Sequence, residues 1–146
     1  MKFLLSLFMA CSISFASIPF TLDKLQNINI LLLNKAEFIT PIDETIIKTK
    51  IKEKLIKHAI TFNGVDASTL IVTIDTFMVD KTYIVHTQFI IAEEVQTFRK
   101  DDIETLAFTF HAHDLIDTKE PYPDTIESIE YLLNEFLELY DEDNNH

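Results

Sequence analysis

Residues 104 to 117 read ETLAFTFHAHDLID, and His111, His113 and Asp114 put two imidazoles beside a carboxylate. Side chains two apart on an extended strand point the same way, so His111 and His113 share one face. Imidazole nitrogens are ligands that Zn²⁺ and Cu²⁺ favour. A third histidine, His86, lies in the preceding run TYIVHTQFIIAEEVQTF, and Asp75 in the run before that, STLIVTIDTFMV. If these runs pair side by side, His86, His111 and His113 with Asp75 or Asp114 form a candidate Zn or Cu ligand set. The same residues equally suit the polar side of a strand facing water, with no ligand.

What must position these residues is a sheet. All three runs alternate and are rich in Ile, Val, Thr, Phe or Tyr, the pattern of half-buried strands. Connections as short as Asp80–Lys81 and 99–102 join antiparallel neighbours. A two-residue turn at Asp80 and Lys81 sets Asp75 opposite His86. A companion register in the next pair sets His113 opposite Gln88 and His111 opposite Ile90. Alternation then puts Leu70, Val72, Ile74, Tyr83, Val85, Phe89, Ile91, Leu106, Phe108, Phe110 and Ala112 on a core face. The other face carries Asp75, His86, Gln88, His111 and His113.

Two helices frame the strands. The apolar block Ile28 to Leu33 reads as a buried strand. Thr40 and Pro41, with Asp43 and Glu44 in the first turn, then start a helix whose stripe is Ile47, Ile51, Leu55, Ile56 and Ala59. Gly64, the only glycine in the chain, falls where that helix is expected to stop. Asp124 with Glu127 three residues on opens a second helix, with Ile126, Ile129, Leu133, Phe136, Leu137 and Tyr140 inward. Tyr122, between two prolines, is expected to pack against it. Five lysines on the first helix and Glu127, Glu130, Glu135 and Glu138 on the second suggest that the helices lie side by side. The order predicts an α+β two-layer sandwich: a mostly antiparallel four-stranded sheet (β-α-β-β-β-α) with both helices on one face.

The series INILLLNKAEF, ETIIKTKIKEKLIKHAI, TLIVTIDTF, YIVHTQFIIAEEVQTFR, LAFTFHAHD and TIESIEYLLNEFLELY resembles a family of small exported bacterial proteins that share this order of elements and have no assigned activity. The resemblance implies a fold and a location, and no chemistry.

With helices on one side only, the other side must meet water or a partner. Ile71, Phe77, Ile84 and Ile90 flank its polar residues, and an exposed mixed patch marks a partner surface. The expectation is therefore non-catalytic binding, to a protein partner or as a homo-oligomer, with the metal site as the alternative. Catalysis is not expected. One glycine cannot build a phosphate loop, and no nucleophile elbow is present. Glu93–Glu94 and Asp101–Asp102 fall at a strand end and a turn, where solvated acids are ordinary, and His58 and His146 read as surface residues.

The segment MKFLLSLFMACSISFA reads as a secretory signal, residues 1–16, cut after Ala16, followed by a single domain, 17–140, and a frayed acidic tail, 141–146. Its apolar part is shorter than the roughly 20 residues that span a membrane, and a lipid anchor at Cys11 is not expected because Phe8 stands where such signals favour an aliphatic. Without Cys11 the remaining chain has no cysteine, which fits a bacterial periplasm or a secreted protein. Charge is uneven. Residues 17–100 hold 10 acids and 10 bases, whereas 101–146 hold 14 acids and Lys119 alone. That balance disfavours nucleic acid and anionic lipid as partners, and leaves the acidic last helix as a surface for a basic exported protein.

Overall fold

The computed structural model describes residues 21–62, 64–65, 67–99 and 103–144. The expected signal segment with Cys11, and likewise Asp101, Asp102 and His146, lie outside the described residues.

Helix α1 spans Pro41–Lys57. The Thr40 hydroxyl accepts from the Asp43 N–H at 3.3 Å, and the Asp43 carboxylate accepts from the Thr40 N–H at 2.9 Å. This reciprocal cap satisfies two otherwise orphaned donors. Ile47, Ile51 and Leu55 form the buried stripe. The helix stops without glycine. Ala59 takes the left-handed conformation, φ 61°, while its N–H donates to Ile56 and the Ile60 N–H to Leu55, at 3.0 and 3.2 Å. Those two bonds make a Schellman termination. Gly64, expected in that role, lies beyond the helix end with a negative φ. Its N–H donates to Asn27 Oδ1 at 3.2 Å, and a Cβ there would sit 1.4 Å from Asn27 Nδ2 and displace that side-chain amide.

The strands are β1 (Asn27–Asn34), β2 (Thr61–Phe62), β3 (Ser68–Val79), β4 (Thr82–Gln96) and β5 (Glu104–Thr118). They form one five-stranded mixed sheet in the order β2-β1-β3-β4-β5, so the expected four-stranded, mostly antiparallel sheet is corrected in two respects. First, β1 runs parallel to both β2 and β3, because α1 carries the chain back over the sheet before β3 begins, as a parallel pair requires. Second, β2 is an extra strand of two residues, held where Thr61 donates its N–H to the Gln26 carbonyl at 2.8 Å. The β3–β4 hairpin turns on Asp80 and Lys81, both at positive φ, as a two-residue type I′ turn demands.

Helix α2 spans Pro121–Asn144. It begins one turn before the expected start, with Pro121 in the first helical position, where a missing N–H costs nothing. Asp124 is then inside the first turn and accepts from the Thr118 hydroxyl. At the other end the helix continues into the stretch expected as a frayed tail. Asn144 Nδ2 donates to the carbonyls of Leu22 and Tyr140 at 2.9 and 2.8 Å, and Asp143 accepts from the Leu22 N–H at 2.7 Å.

A single core joins both helices to one face of the sheet. Ile28 and Leu32, Leu70, Val72 and Ile74, Val85, Phe89 and Ile91, and Phe110 and Ala112 meet Ile47, Ile51 and Leu55 of α1 and Ile129, Leu132, Leu133 and Phe136 of α2. Phe110 and Phe136 meet edge to face at 5.3 Å, an arrangement favoured by the ring quadrupoles. The helices are tied by Lys54 Nζ donating to Asn134 Oδ1 at 3.0 Å and by His58 Nδ1 beside Asp141 Oδ1 at 3.0 Å. Among the described residues no lysine of α1 pairs with an acid of α2. His58 is partly covered by that contact.

Three other expectations about the core change. Ile56 and Ala59, expected in the stripe of α1, are exposed. Leu31 and Leu33 of the apolar block are exposed, because only one side of β1 is covered. In β5 the alternation breaks: Ile91 pairs with Phe110, but Ala92 pairs with Phe108, leaving Thr109 as an extra residue. Such a bulge shifts every residue before it to the opposite face. Phe108 and Leu106, expected in the core, therefore lie on the uncovered face.

Candidate functional site on the open sheet face

Residues paired across a ladder share a face, so the register builds the open face row by row. One row is Asn29, Thr69, Ala92 and Phe108. The next is Leu31, Ile71, Ile90 and His111, followed by Leu33, Thr73, Gln88 and His113. Asp75, His86 and Leu115 come after, and then Phe77, Ile84 and Asp117. The expected pairings of Asp75 with His86, of Gln88 with His113 and of Ile90 with His111 are all present.

The three histidines are neighbours. His86 and His113 meet ring to ring at 5.6 Å with planes 78° apart, and His111 and His113 at 5.6 Å with planes 30° apart. A polar chain crosses three strands through them: the Thr73 hydroxyl donates to Gln88 Oε1 at 3.0 Å, and Gln88 Nε2 lies 3.2 Å from His111 Nε2. With its carbonyl accepting from Thr73, Gln88 donates to His111, which then carries its proton on Nδ1. The Asp75 carboxylate is engaged elsewhere, bonding Lys35 Nζ at 2.7 Å. Asp114, the other candidate oxygen ligand, pairs with Thr87 on the helix-covered side, because it is an odd step from the histidines. Among the described residues no three His, Cys, Asp or Glu side chains are arranged to hold one ion together.

Around this polar centre lie the apolar residues. Ile71 pairs directly with Ile90, and Phe77 with Ile84, so the four expected contact residues form two cross-strand pairs on either side of the Thr73–Gln88 and Asp75–His86 rows. Phe77 is 59% exposed, and Leu106, Phe108 and Leu115 are 66, 58 and 62% exposed. With Leu31 and Leu33, the last three extend the patch from the β1 side to β5. Reasoning from sequence missed Leu31, Leu33, Leu106, Phe108 and Leu115. The first two hid in a continuous apolar run. Leu106 and Phe108 hid behind a bulge that leaves no mark in the alternation, while Leu115 simply continues the alternation of His111 and His113.

At the end of β3 and β4 the open face runs into a shallow cavity of about 400 Å³, lined by Thr69, Ala92 and Leu106 of that face together with Val65, Ser68 and Glu93. Its one strong polar contact is internal, Ser68 Oγ donating to Glu93 Oε1 at 2.6 Å. No described helix is long and apolar enough to cross a membrane. Compared with known proteins, the chain matches no family model and no curated protein. A functional reading therefore rests on the geometry of this face.

Proposed function

We infer that the protein is an exported, non-catalytic interaction domain that binds a protein partner or another copy of itself through the open sheet face. One observation carries the reading: exposed Phe77, Leu106, Phe108 and Leu115 share an uncovered face with the Ile71–Ile90 and Phe77–Ile84 pairs. Scattered surface leucines need no explanation, but apolar residues gathered on one uncovered sheet face mark a contact surface. Charge substitutions at Ile84 and Ile90 test it. Ile84→Glu and Ile90→Glu should weaken association at least tenfold, while His111→Ala has a much smaller effect.

A second reading, Zn or Cu binding by His86, His111 and His113, is supported by the two ring contacts at 5.6 Å. It requires the imidazoles to turn toward one point and the Asp75 carboxylate to leave Lys35. Calorimetric titration with Zn²⁺ and Cu²⁺, with His111→Ala/His113→Ala as control, distinguishes a stoichiometric site from weak surface binding. Removal of residues 1–16 and a periplasmic or secreted location belong to the same proposal, and rest on the sequence of that segment.

A further inference from the structure

We propose that the occupant of the open face is a second copy of this chain, packed sheet to sheet about a two-fold axis with the helices outermost. The proposal rests on the open-face reading above and narrows it to one partner. A two-fold interface brings a surface against itself, so it must be self-complementary. The open face meets that condition. Its apolar pairs match apolar pairs. Gln88 keeps a second amide N–H and a carbonyl lone pair, and Thr73 keeps oxygen lone pairs, so the polar centre still offers donors and acceptors to an identical neighbour. Its central charges, Lys35 and Asp75, are already paired at 2.7 Å.

The charges of the rest of the molecule favour the same arrangement. The chain carries a net charge of −12, and α2 holds eight acids and no base. α2 packs over β4 and β5, so pairing two copies along the free β5 edge would set two acidic helices side by side. Face-to-face packing places both sheets between them. On the open face the remaining acids, Glu94, Glu104 and Asp117, pair with Leu106, Gln96 and Ile84 at the rim, away from the Thr73–Gln88 centre. A basic partner, by contrast, would be drawn to α2.

The area is also adequate. Strands β3, β4 and β5 at about 4.8 Å spacing, over the rows from Thr69 to Val79 at about 3.4 Å per residue, with β1 beside only the rows up to Ile74, span roughly 570 Å² before side-chain relief. A standard interface takes about 800 Å² from each partner. Two such sheets would stack about 10 Å apart, the spacing of a β-sandwich.

The test combines sedimentation equilibrium with site-specific photo-crosslinking, on protein purified from cells expressing the full chain. A photo-reactive phenylalanine analogue replaces Phe108, and Ile84→Glu is compared with Tyr131→Glu on the exposed side of α2, each checked for native circular dichroism. The expected result is a dimer that Ile84→Glu dissociates at least tenfold more readily and Tyr131→Glu does not. Position 108 should crosslink to open-face residues of the second copy. A dimer broken by Tyr131→Glu and indifferent to Ile84→Glu would overturn the proposal. So would a monomer at all concentrations. In that case crosslinks from position 108 to a different protein in extract would leave the open-face reading standing, and none would remove both.

Discussion

Asp75 and His86 face each other across the β3–β4 ladder, yet the Asp75 carboxylate bonds Lys35 Nζ at 2.7 Å rather than an imidazole. A metal at the histidines would have to compete with that ion pair for its oxygen ligand. Under the metal reading, Lys35→Ala frees Asp75 and strengthens Zn²⁺ binding, whereas His111→Ala/His113→Ala abolishes it. Calorimetry of the wild type and both variants checks the two outcomes. Binding indifferent to both substitutions would leave the rings as a polar strip within the contact face.

The bulge at Thr109 separates two phenylalanines that alternation would treat alike. Phe110 is buried against Phe136, and Phe108 is exposed. Phe110→Ala should cost about 3–5 kcal/mol. Phe108→Ala should stay within about 0.5 kcal/mol for the isolated chain. Urea unfolding of the two variants measures the difference, and equal costs would place both rings in the core.

Much of the β3–β5 meander was legible because a two-residue turn leaves little freedom. With Asp80 and Lys81 at the tip, the pairing of Asp75 with His86 follows by counting along the strands. The capping signals at Thr40 and Asp43 were equally direct. What stayed hidden has physical causes. Thr109 as an extra residue preserves local alternation on each side of itself. Thr61–Phe62 is too short to show a period. The continuous apolar run at Ile28–Leu33 implies burial on both sides, and only the placement of the helices exposes Leu31 and Leu33. Nothing local distinguishes Asp75 paired with Lys35 from Asp75 free to ligate a metal.

Ala59 holds a left-handed conformation that its Cβ disfavours. Ala59→Gly relieves the clash while keeping the two terminating bonds, and should stabilise the fold by about 1 kcal/mol. An upward shift in the urea midpoint at constant slope would confirm it.

Acid should loosen the start of α1. Hydrogen bonds donated first by the Thr40 hydroxyl and then by its backbone N–H hold the Asp43 carboxyl below its ordinary value of 3.8, and a bond with Tyr122 adds to this. A depressed pKa means that the ionised carboxylate stabilises the fold above the unfolded value, and that this contribution is lost as pH falls through the lower folded value. Wild type should therefore exceed Asp43→Asn in stability at neutral pH and lose that advantage below about pH 3.8. Unfolding curves at neutral and acidic pH check the sign.

The central claim is that the open sheet face, rather than the acidic helix, is the contact surface. Concentration-dependent amide shifts in ¹H–¹⁵N spectra of the full chain test it most directly. Shifts confined to open-face residues, among them Ile71, Phe77, Ile84, Ile90, Phe108 and Leu115, are the expected result. Shifts confined to the exposed side of α2, around Glu127, Tyr131 and Glu138, would contradict it.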